Sequence, residues 1–80
     1  MLRMAINQES SVPIYQQIVD YFSHAILSGH FETEMRLPSI RKLSSDLGVS
    51  KITVENAYAR LEAEGLVGSR VGSGTFVLPI

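Results

Sequence analysis

At 80 residues the chain allows one small domain with a single modest core, too little for most enzymes that enclose an active site. A formal net charge of -1 excludes a general basic footprint, and the absence of cysteine excludes disulfides, thiolate zinc sites and cysteine nucleophiles. The opening MLRMAINQES lacks a signal peptide's apolar run, and no stretch approaches the roughly 20 apolar residues of a membrane span, so a soluble chain in a reducing cytoplasm is expected, with no membrane partner.

Residues 1–12 read as a loosely held N-terminal arm. Pro13 then opens PIYQQIVDYFSHAILSGHF, where Ile14, Ile18, Tyr21 or Phe22, Ala25 and Ile26 recur at helical spacing. Proline at the first helical position and Gly29 past the end predict helix one over about Pro13 to Ser28. Its histidines, His24 and His30, straddle the glycine without the i, i+4 spacing of a metal pair, and are expected at the surface. In LPSIRKLSSDLG, Pro38 disfavours helix at Leu37 and Ser39 is a good cap. Ile40, Leu43 and Leu47 form one stripe of a short helix two ending at Gly48. Ser50 caps a third helix, about residues 51–64, with Val54, Ala57, Tyr58 and Leu61 inward. Two helices joined by so tight a glycine turn suggest a helix-turn-helix.

Beyond Gly65, LVGSRV and TFVLPI flank GSG, the signal of a β-hairpin whose turn depends on glycine. The stretch GSRVGSGTFV contains no GxGxxG and no lysine placed as in a phosphate-binding loop, and it follows a helix rather than a strand. The expected fold is therefore α+β, mainly α: a winged helix-turn-helix of three helices and a C-terminal hairpin wing over residues 13–78, with residues 79–80 beginning a linker.

Charge is segregated along the chain. Arg3 faces Glu9, Asp20, Glu32 and Glu34 in the first part, whereas Arg36, Arg41, Lys42 and Lys51 face only Asp46 in the middle. On helix three a turn of about 100° per residue sends Ile52, Asn56, Ala59 and Ala63 outward, small or polar residues that permit close approach to a groove. Its first turn, SKIT, offers the hydroxyls of Ser50 and Thr53, the Lys51 cation and free backbone N–H groups at the positive end of the helix dipole. These suit a phosphate and the adjoining base edges. Arg41 lies one position off the Ile40 stripe and is expected to point outward near the same helix ends, forming a two-point clamp with Lys51.

From about Pro13 to Val77 the sequence resembles the N-terminal DNA-binding domain of GntR-type transcriptional regulators, through AILSGHF, RLPSIRKLSSDLGVSKITVENAYARLEAEGLV and GSGTFV in order. TVENAY, with Tyr58 where much of the family has leucine, resembles the MocR-like and YtrA-like branches. The resemblance implies helix three in the major groove of double-stranded operator DNA and the wing on the minor groove or backbone. By matching position, Arg41 corresponds to a groove-reaching arginine, Ser50 and Thr53 to phosphate-contacting hydroxyls, Lys51 to an arginine of the first turn, and Gly72 to the wing-tip glycine. Ser39, Ile52, Asn56, Arg70 and Ser73 complete the expected DNA-binding set on charge and position. The sequence departs from the family in three places. Lys51 lacks the bidentate fork that reads guanine, Glu55 stands where other branches carry arginine, and Thr33 and Glu34 replace the common proline and glycine before RLPS.

The expected function is sequence-specific reading of duplex DNA by a bacterial-type regulator that works as a homodimer. No serine lies in GxSxG and no histidine in HExxH, so no enzyme is expected, and no cofactor is expected in this chain. Pyridoxal phosphate would belong only to a C-terminal domain of a MocR-like protein. The alternative is a winged helix used for protein contacts, to which an outward Ile52 would be equally suited.

Overall fold

Ile18, Val19, Phe22, Ala25 and Ile26 are all buried on one side of α1, Ile14–Leu27. The computed structural model describes residues 5–79; Met1 to Met4 and Ile80 lie outside the described residues. Pro13 sits one position before the helix rather than in its first turn, and its carbonyl accepts the N–H groups of Gln16 and Gln17 at 3.0 and 3.1 Å. Helix α2, Ile40–Leu47, is capped by Ser39, whose Oγ accepts the Lys42 N–H at 3.1 Å. Gly48 ends it at φ 69°, a left-handed conformation that suits glycine. Helix α3, Lys51–Ala63, starts from Ser50 and packs on α1, α2 and the first strand. Its Val54, Ala57, Tyr58 and Leu61 are buried, as the 3.6-residue period requires.

Strands β1, Val67–Arg70, and β2, Gly74–Val77, pair antiparallel with Val67 opposite Val77 and Arg70 opposite Gly74. The Ser73 N–H returns to the Arg70 carbonyl at 3.0 Å, and Gly72 at φ 78° takes the positive φ that a type II turn needs at its third position.

A further element is absent from the sequence reading. Residues 34–37 run antiparallel along β2: Val77 N–H donates to Met35 O at 2.9 Å, Leu37 N–H to Thr75 O at 2.8 Å, and Glu34 N–H to Val77 O at 2.8 Å. Arg36 lies opposite Phe76 in this ladder. Alternation puts Leu37, Val67 and Val77 on the buried face of the two-stranded wing and the segment bridged to it. Glu34, Arg36, Arg70, Gly74 and Phe76 share the outer face.

Glu34 takes φ 72°, so the residue standing at the family's glycine position keeps a glycine-like backbone. That conformation costs an L-residue roughly 1–2 kcal/mol. Its carboxylate oxygens accept from Arg70 Nη2 at 2.9 and 3.1 Å, which helps hold the strained turn. The described end of the N-terminal arm, Asn7 to Val12, is also fastened more firmly than expected. Gln17 Oε1 accepts the Asn7 N–H, while its Nε2 donates to the Asn7 and Val12 carbonyls, each at 2.9 Å.

Tyr58 ties α3 to the rest. Its hydroxyl donates to the Pro38 carbonyl at 2.7 Å, and burial pushes the phenol well above its ordinary pKa. Because the folded state holds this proton more tightly than the unfolded chain does, the associated stability is complete below the unfolded pKa of about 10 and is lost as pH rises through that value and beyond. Tyr58→Phe is expected to cost about 1 kcal/mol near neutral pH, roughly 4–8 °C of melting temperature. The gap from wild type should narrow in melts recorded above about pH 10. A constant gap would show that the phenol's ionisation is not linked to folding.

Candidate nucleic-acid interface

The N-terminal turn of α3 is built by its cap. Ser50 Oγ accepts the Thr53 N–H at 3.1 Å and lies 2.8 Å from Thr53 Oγ1. Two hydroxyls that share one hydrogen bond keep one proton free for an outside acceptor. The backbone N–H groups at the start of the helix add further donors. Lys51 and Ile52 are exposed beside them, Ile52 to 68%. Asn56, Ala59 and Ala63 are exposed further along the same helix, as the helical period predicts. Across the turn, Arg41 is exposed on α2. Glu55 forms no ion pair with Lys51, although it lies four positions later on the same helix.

The distribution of ion pairs separates the bases into two groups. Lys42 pairs with Asp46 at 3.4 Å, Arg60 with Glu64 at 2.9 Å, and Arg70 with Glu34 at 2.9 Å. Among the described residues, Arg36, Arg41 and Lys51 are left without a carboxylate partner. Two of these are the cations that the sequence nominates at the helix ends. The third was not singled out by sequence, although it belongs to the basic middle of the chain.

On the wing, Gly72 is exposed with open space where a Cβ would stand, leaving its backbone bare, and Ser73 is exposed beside it. Val71 at the tip is fully exposed, an apolar position that the sequence reading passed over. Arg70 is differently placed from the expectation of a free cation beside Gly72. Its guanidinium lies 4.7 Å from the centre of the Phe76 ring and is paired with Glu34.

The structure thus brings Ser50, Lys51, Ile52, Thr53 and Asn56 together on α3, with Arg41 on the adjoining helix. Ser39 spends its hydroxyl on capping α2 but remains exposed. Both histidines are exposed, and His30 Nδ1 lies 2.7 Å from Ser28 Oγ. Among the described residues there is no group of three or more potential metal ligands, and no helix is long and apolar enough to cross a membrane.

Residues 14–77 match the family model described as bacterial regulatory proteins, gntR family. The chain is 40% identical over 74 residues to the probable rhizopine catabolism regulatory protein MocR of Rhizobium meliloti, covering 92% of this chain and 15% of that protein. Its fold is similar to that of YtrA from Sulfolobus acidocaldarius, a GntR-family transcription factor, with a TM-score of 0.89, 38% identity and coverage of 96% of this chain and 81% of that one. It is also similar to the AraR DNA-binding domain in complex with operator ORX1, with a TM-score of 0.81, 30% identity and 95% of both chains covered. The match of the family model over residues 14–77, on a chain folded as three helices and a two-stranded wing, places this chain in the gntR family of bacterial regulatory proteins.

Proposed function

We infer that this domain reads duplex DNA by sequence as the DNA-binding part of a transcriptional regulator, with α3 in the major groove and the 68–77 wing on the minor groove or backbone. The observation that carries this reading is the exposed N-terminus of α3, which keeps a hydroxyl proton free beside the unpaired Lys51, with a second unpaired cation, Arg41, exposed on the adjoining α2. Ile52 and Asn56 follow on the same exposed side, where an apolar side chain suits a thymine methyl and an amide suits adenine. The AraR domain, similar over 95% of both chains, binds its operator in the solved complex.

Lys51 contributes a point charge where a fork would read guanine, so phosphate contact is its main role and Asn56 carries more of the base readout. With a net charge of -1, affinity for arbitrary sequence is low. The whole protein is a cytoplasmic homodimer that gains useful affinity from two symmetry-related half-sites. The role of this chain is binding without catalysis or a cofactor; pyridoxal phosphate belongs only to a C-terminal domain of a MocR-like protein.

The test is a fluorescence anisotropy titration against a duplex recovered by wild-type protein from a random library. Arg41→Ala and Lys51→Ala should each weaken binding by about 1–3 kcal/mol, roughly five- to 150-fold, with unchanged thermal melts. Wild-type affinity in both variants would overturn the assignment.

A further inference from the structure

On the outer face of the wing two arginines lean in opposite directions. Arg70 starts at the tip end of β1, opposite Gly74, and folds back over Phe76 to reach Glu34, away from the tip. Arg36 starts opposite Phe76 and leans the other way. Its guanidinium lies against Gly74, with Nε only 3.1 Å and Nη2 3.5 Å from where a Cβ on Gly74 would stand. Gly74 is two residues nearer the tip than Phe76, so this arginine is directed toward the Gly72 turn. It has no carboxylate partner among the described residues.

Arg36 also stands three residues before Ser39, the cap of α2. The intervening Pro38 carbonyl is held by Tyr58 of α3 at 2.7 Å. The backbone that carries Arg36 is therefore anchored both to the wing, through the ladder to β2, and to the reading helix. A guanidinium held in this position is suited to a phosphate oxygen, which it can meet with two parallel N–H donors.

We propose that Arg36, rather than Arg70, is the wing's phosphate-binding cation, and that it clamps the DNA backbone between the wing turn and the start of α2. The proposal rests on the DNA-binding reading above. The absence of a side chain at Gly74 leaves the space in which the Arg36 head lies, and the Glu34 carboxylate occupies its neighbour Arg70. A phosphate contact is indifferent to base sequence, so its loss should affect any duplex alike.

The experiment titrates Arg36→Ala, Arg36→Gln, Arg70→Ala and Arg41→Ala against two probes, the selected duplex and sheared mixed-sequence genomic DNA, over a series of potassium chloride concentrations. Both Arg36 variants should weaken binding to the two probes by a similar factor, about fivefold or more, and reduce the slope of log affinity against log salt by about 0.9 per phosphate lost. Arg36→Gln keeps much of the side chain's length and removes only its charge, so agreement between the two variants separates charge from packing. Arg70→Ala should leave the salt slope at its wild-type value. Wild-type affinity and slope in the Arg36 variants, with Arg41→Ala still impaired, would overturn the proposal alone, as would a loss of slope confined to Arg70→Ala. Wild-type protein that binds neither probe in a salt-sensitive way would instead remove the DNA-binding reading on which it rests.

Discussion

Phe22→Ala is expected to remove about 3–5 kcal/mol of folding stability, the usual cost of deleting a fully buried aromatic ring. Phe22 is completely buried on α1 and touches three other rings: Tyr21 at 5.4 Å, Phe31 at 5.8 Å and Tyr58 at 5.9 Å between centroids. These contacts come from α1, from the segment that follows it and from α3, so the cavity would open where three parts of the chain meet. A domain of this size has only about 4–12 kcal/mol in total, at roughly 0.05–0.15 kcal/mol per residue. The variant should therefore melt well over about 10 °C below wild type when followed by circular dichroism. A fall of only a few degrees would show that Tyr21 or Phe31 refills the space.

The second large effect falls on binding rather than folding. Ile52→Glu replaces an exposed side chain in the first turn of α3. A carboxylate there faces the positive end of the helix dipole, so the fold should be unchanged or stabilised by about 0.3–1 kcal/mol. The same carboxylate would stand beside Lys51 and confront the DNA phosphates, and like charges brought together in an interface cost on the order of several kcal/mol. We expect operator binding to fall by about 100-fold or more while the melting temperature holds or rises. Near-wild-type DNA affinity would favour the protein-contact reading of this face. Salt adds a second discriminator, because DNA binding weakens steeply as salt rises and an apolar protein interface does not.

The parts of the fold that were legible in sequence are those specified by neighbours along the chain. Ser39 and Ser50 bond to N–H groups three residues on, Gly48 supplies its own backbone angle, and the α3 stripe follows from a local period. What escaped was non-local. No short strand signal marks residues 34–37, because they contain Glu34 and Arg36 and gain their ladder only from β2, some forty residues later. Arg70 gave no sign that it would be paired, since its partner Glu34 is 36 positions away. The replacement of glycine by Glu34 was visible, but sequence alone did not indicate that the left-handed angle would survive or that an arginine would hold the side chain. The same gap explains why Arg36 was counted among the basic residues without being given a place.

The hydrogen bond from Tyr58 to the Pro38 carbonyl has a thermodynamic consequence for recognition. Together with the bridge from Arg36 to Phe76, it makes the wing, the start of α2 and α3 one preorganised unit, whose relative placement is settled when the chain folds. The ordering entropy is then charged to folding, and less of the gross interaction energy with a partner is spent on immobilising loops. Loosening this tie would leave every contacting side chain in place and still lower affinity, through a less favourable entropy of association.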